Sequence, residues 1–148
     1  MEKIPEIQIE IQNRMDDFIK LAKLNTEEAW EKIDEQLPRY CNNPVILNWA
    51  KENLANLESG LADLSATVLE ATDEKLNDKD TANLILLMHR DYADNPYPSF
   101  RAACALAKHI NDVLLAESVV LEIRNKLKIF LEDKDVSDIA QSYIDSLS

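Results

Sequence analysis

His89-Arg90-Asp91 has the order of a phosphoryl-transfer triplet, in which the Asp takes a proton from the attacking hydroxyl. That chemistry also needs an Asn five residues beyond the Asp to hold a metal ion, and a glycine loop over the phosphates. Pro96 stands at the Asn position, and the chain has a single glycine, Gly60. A di-iron carboxylate site needs Glu three residues before His on paired helices. Leu86 and Leu106 occupy those positions before His89 and His109. Zinc lacks paired Cys or His at ligand spacing, and the stretch Asp73 to Leu84 lacks the central Gly and terminal Glu of a calcium loop. Cys41 and Cys104 lie in apolar helical surroundings and read as small buried hydrophobes, neither paired nor nucleophilic. The sequence therefore predicts no catalytic residue, no metal site, no cofactor and no enzyme activity.

Two surface clusters remain. Glu27, Glu28, Glu31, Asp34 and Glu35 put five carboxylates in nine residues, with Lys32 the one base among them. Two of them suit a helix N-terminus, where the macrodipole favours negative charge, and a solvated face accounts for the rest unless a basic partner meets it. The second cluster is Tyr92, Tyr97 and Phe100 around the double-proline run, with Arg90 and Arg101. Aromatics with arginine suit a binding hot spot. Packing between helices is the competing use of the same residues.

The elements that carry these clusters must be helices. One glycine in 148 residues removes Gly-rich nucleotide loops and most β architectures. A 46% hydrophobic content supports a single all-helical domain over residues 1–148. The net charge of −12 argues against direct nucleic-acid binding, and residues 1–74 carry −9 of it. No apolar run reaches signal-peptide or membrane-span length, so a cytoplasmic location is expected.

Caps and periodicity place eight helices. The first runs from about Ile4 to Leu24, with Pro5 in its first turn and Ile7, Ile11, Met15, Phe18 and Ala22 on one face. Residues 6–12 also alternate as a strand would, but no partner strand exists. Asn25 is the expected cap of the second helix, with Glu28 closing a capping box. Asn43-Pro44 launches a third, with Leu47, Ala50, Leu54 and Leu57 inward, and Gly60 breaks or kinks the chain before a fourth. A loose polar loop is expected from Thr72 to Asp80. A fifth helix, about 80–92, is apolar all round and so expected at the centre. The sixth is placed at about 99–110, the seventh at about 113–131 after an Asn111-Asp112 cap, and the last after Asp135. Paired consecutively, they form four hairpins spaced roughly 35–38 residues apart, within the range of helical-repeat arrays.

Residues 94–107, from Asp94-Asn95-Pro96 through Phe100-Arg101 to Ala103, Cys104 and Ala107, resemble the second-helix stretch of a HEAT repeat. Asp and Pro precede the helix, an apolar–Arg step opens it and small residues form its packing face. Residues 132–140 echo the pattern, with Ser137 where the Arg would stand. The resemblance covers about 50 residues and implies a HEAT-like α-solenoid of four stacked hairpins, or an irregular helical bundle, that binds protein without catalysis.

The expected function is a protein-binding module that meets a basic protein partner through Glu27, Glu28, Glu31, Asp34 and Glu35, with Tyr92 and Tyr97 as a second surface. An antitoxin-like or immunity-type inhibitor is its sharper form. The rival readings are an enzyme or small-molecule receptor with an interhelical pocket using His89 or His109, and a structural homodimer joined through Ile9.

Overall fold

The computed structural model describes residues 6–147, and the expectations on Ile4, Pro5 and the side chain of Ile7 lie outside them. The regular elements of the described residues are eight α-helices and two short 3-10 turns, with no strand among them. The helices are α1 (Glu6–Leu24), α2 (Glu27–Gln36), α3 (Pro44–Glu52), α4 (Ser59–Ala71), α5 (Asp78–Met88), α6 (Tyr97–Lys108), α7 (Glu117–Ile129) and α8 (Ser137–Ser146). The alternating stretch after residue 6 is helical, and Ile9 is left half-exposed off the buried face of Met15, Phe18 and Ala22. Among the described residues no helix is long and apolar enough to cross a membrane.

The centre of the molecule is α4 packed on α6. Every residue of α4 from Ser59 to Leu69 is buried, and so is α6 from Pro98 to Ala107 apart from Arg101. Small side chains make this closeness available: Ala62 and Ala66 on α4, and Ala102, Ala103, Cys104, Ala105 and Ala107 on α6. Helices α1 and α3 pack on α4, while α5, α7 and α8 pack on α6. The expectation of α5 at the centre is thereby corrected. Leu86 is 67% exposed and Ile85 half-buried, because α5 covers only one side of α6.

Gly60 does not break the chain. It is the second residue of α4, with ordinary helical φ, and the third helix has already ended at Glu52. Its role is steric: a Cβ there would lie 2.2 Å from the carbonyl oxygen of Ala22, so α1 and α4 approach backbone to backbone. Leu57, expected on the buried face of α3, lies in the connection and is 84% exposed.

Several starts also differ. Thr26, and not Asn25, caps α2, its hydroxyl accepting from the Ala29 amide. Asn25 instead adopts a left-handed φ of 51°, which Asn tolerates. Its Oδ1 accepts from Trp30 Nε1 at 2.8 Å. Asn43-Pro44 opens α3 as expected, with Asn43 Oδ1 accepting from Val45 N. The loop from Thr72 is pinned: Asn42 Oδ1 accepts from Thr72 Oγ1 and Asp73 N, and an Asn77/Asp80 capping box starts α5. Helix α7 begins at Glu117, after Ala116, and not at Asn111-Asp112, which leaves Leu114 wholly exposed. Asp135 does not cap α8, because Val136 holds the cap position and is buried instead. Cys41 and Cys104 are buried free thiols.

Candidate functional site

A cavity of about 420 Å³ opens between the start of α2, the middle of α4, the start of α6 and the start of α8. It falls there because α4 and α6 sit at the centre while α2 and α8 flank them without closing the gap. Its floor is a buried charge cluster. Arg101 Nη1 donates to Glu70 Oε2 at 2.9 Å, and Arg101 Nε lies 3.8 Å from Asp63 Oδ1 without a hydrogen bond. Tyr143 of α8 donates to the other Glu70 oxygen at 2.9 Å, so one carboxylate ties α4, α6 and α8 together.

The electrostatics follow from this burial. Desolvation pushes the Asp63 carboxyl up to about 6, with Arg101 and the Thr67 hydroxyl acting against the shift. Burial works against the charge of Arg101, yet Glu70 and Asp63 outweigh it and hold the guanidinium firmly protonated. Burial also raises the Cys104 thiol, with Glu70 adding to the effect, so this cysteine is inert at neutral pH.

The walls bring part of the acidic helix into the site. Glu27, Glu31 and Asp34 line the cavity, whereas Glu28 and Glu35, one step further round α2, are not among its lining residues. Spacings of four and three residues put the first three on one side of a helix. Asp34 is exposed as a residue, but the cavity walls desolvate its carboxyl enough to raise its pKa, Arg101 pulls it down and Glu70 adds to the rise. Asp63, Asp94 and Asp135 complete six lining carboxylates against one guanidinium, which Asp63 and Glu70 already neutralise. Among the described residues no three His, Cys, Asp or Glu side chains converge to hold a metal ion.

Trp30 and Tyr97 are the aromatic walls. The indole is fixed by its bond to Asn25. Tyr97 packs against Phe130 and donates to Asp133 Oδ2 at 2.6 Å, a bond that, with burial, pushes its pKa up to about 12. Asn95 also lines the cavity. It is 4% exposed, its Oδ1 accepts from Tyr97 N, and its Nδ2 has no partner.

The rest of the aromatic cluster is elsewhere. Phe100 is fully buried against Phe130, and Tyr92 donates to Asn56 O beneath the Arg90 guanidinium. Tyr92 thus pins the connection before α6 to the one after α3, away from the cavity. The two histidines do not reach it either. His109 is buried with Nε2 against Leu69 O, and burial lowers its pKa. His89 pairs with Glu122 over a separate cleft of about 370 Å³.

Sequence reasoning missed Asp63, Asn95 and Asp135 as cavity residues. Asp63 carried a signal, being a lone acid inside the apolar run of α4. Asn95 read only as a breaker. Compared with family models, with curated proteins and with solved structures, the chain finds no match in any of the three.

Proposed function

We propose that this protein is a non-catalytic protein-binding module that engages a basic partner through the acidic cavity of α2, α4, α6 and α8. The observation that carries the reading is the imbalance of charge in a concave site: six carboxylates around one guanidinium that is itself already paired. Carboxylates crowded in a partly desolvated cleft repel one another, and a cationic group relieves that repulsion while low-dielectric walls strengthen its attraction. A HEAT-like stack of four hairpins is the architecture proposed with it. Its support is the recurrence of side-chain bonds at similar offsets: Asn42–Asp73 at 31 residues, Ser59–Asp94 at 35, Tyr92–Asn56 and Tyr97–Asp133 at 36. In such a stack the cavity is the hollow lined by the second helices. Blocking a basic protein by presenting carboxylates, as an immunity-type inhibitor does, is one use of such a surface.

The test compares lining with non-lining acids of one helix. Glu27→Gln/Glu31→Gln and Glu28→Gln/Glu35→Gln remove the same charge from α2, but only the first pair lines the cavity. Association with an unstructured Lys/Arg-rich polypeptide should slow by roughly 3–10-fold in the first variant, with a flatter salt response, and far less in the second. Equal behaviour of the two variants, or no binding by the wild type, would overturn the reading.

A further inference from the structure

Resting on that reading, the geometry points to a defined occupant: one arginine residue of an extended partner segment, its guanidinium among Glu27, Glu31 and Asp34 and its main-chain carbonyl on Asn95 Nδ2. The acidic wall alone asks only for positive charge. Asn95 asks for something further. Its amide is buried at 4% exposure, its orientation is fixed because Oδ1 accepts from Tyr97 N, and its Nδ2 donor faces no acceptor in the protein. An unsatisfied buried donor is costly, and a ligand that brings an acceptor recovers that cost. The cavity thus calls for a cation and a hydrogen-bond acceptor in one ligand. A guanidinium or an ammonium ion supplies the first and lacks the second, whereas an amino-acid residue in a peptide carries both.

The aromatic walls choose between arginine and lysine. A planar guanidinium stacks on aromatic faces and bonds carboxylates in a two-pronged fashion, while a strongly hydrated ammonium does so less well. Trp30 and Tyr97 are both held in place by side-chain bonds, to Asn25 and Asp133, so their rings are preset for such stacking. Volume sets the scale of the occupant. About 420 Å³ lies near the lower end of ligand sites, enough for a long side chain with its flanking backbone and too small for a helix. A metal ion is disfavoured because no three donors converge.

The experiment titrates the full chain with N-acetyl-arginine-N-methylamide, its lysine counterpart, and N-butylguanidine, a monocation that has the guanidinium without a carbonyl. The readouts are the Trp30 indole and Asn95 side-chain amide resonances. The arginine amide should shift both and bind about tenfold more tightly than the lysine amide and several-fold more tightly than N-butylguanidine. In Asn95→Asp, which keeps an oxygen for Tyr97 N and removes the donor, the arginine amide should lose its advantage over N-butylguanidine. Equal binding of the arginine and lysine amides, equal binding of the arginine amide and N-butylguanidine in the wild type, or no shift of Trp30 overturns the proposal. If any of these occurs while the Lys/Arg-rich polypeptide still distinguishes the two α2 variants, the basic-partner reading stands and only the arginine pocket falls. If the polypeptide also fails, both fall.

Discussion

At the scale of single residues, Asp63 and His109 are buried titratable groups with opposite demands. Burial raises the Asp63 pKa to about 6, against about 3.9 for an unfolded Asp. Between those values the folded chain holds a proton that the unfolded chain has released, so this group's contribution to stability falls as pH rises through the window. His109 has its pKa lowered by burial. The unfolded imidazole therefore takes its proton first, below about pH 6.5, and His109 costs stability as pH falls. Urea unfolding from about pH 7 to about pH 4.5 should show Asp63→Asn losing stability relative to wild type on acidification and His109→Gln gaining it. Removing Asp63 also takes a partner from Arg101, which lowers stability at every pH, so the comparison is of slopes. Slopes changing in the same direction for both variants would mean that one of the two groups is not buried as described. Neither group's environment was legible in the sequence. Asp63 stood out as a lone acid in an apolar run, but its ion-pair partner Arg101 lies 38 positions away, and only the packing of α4 on α6 joins them.

At the scale of elements, the sequence shows the helices better than their ends. Periodicity reports which face is buried, and Met15, Phe18, Ile33, Leu64 and Phe100 all lie where it puts them. Starts depend on which of several adjacent polar residues takes the cap, a choice worth only about 1 kcal/mol, so packing decides it. That is how Thr26 displaces Asn25, and how Val136 takes the position read for Asp135. Gly60 is the instructive miss. Glycine usually marks freedom of φ, and here it marks a close crossing. The two roles predict opposite outcomes for Gly60→Ala. In a helix with open space, the change stabilises by about 0.4–1 kcal/mol through the unfolded chain. Against a backbone carbonyl 2.2 Å from the new Cβ, α1 must shift on α4, and overpacking of this kind costs about 1–3 kcal/mol. The variant should therefore be less stable than wild type in denaturant unfolding. A gain in stability would show that α1 and α4 do not meet backbone to backbone.

At the scale of the whole molecule, the cavity straddles parts of unequal burial. Its floor belongs to α4 and α6, the most deeply covered helices. Its walls belong to α2, which buries Ala29 and Ile33, and to α8, which buries Ala140. Local opening free energy follows buried apolar contact, so these layers should come apart at different free energies. Amides of residues 62–69 and 102–106 should exchange with solvent slowest, at the rate of global unfolding, while those of α2 and α8 exchange through smaller openings. The arrangement bears on function, because a ligand that bridges Asn95 on the floor to Glu27 and Glu31 on the wall must hold α2 against the centre. Binding should then slow exchange in α4, by stabilising the folded chain against global unfolding, and in α2 by up to the same factor, while local openings of α5 and α7 that leave the cavity intact are not slowed. Hydrogen exchange followed by mass spectrometry, with and without the Lys/Arg-rich polypeptide, reads both effects at once. Uniform protection across all eight helices would show a single cooperative unit with no separate walls. Protection gained in α5 or α7 and not in α2 would move the binding surface away from the acidic cavity, toward the cleft beside His89 and Glu122.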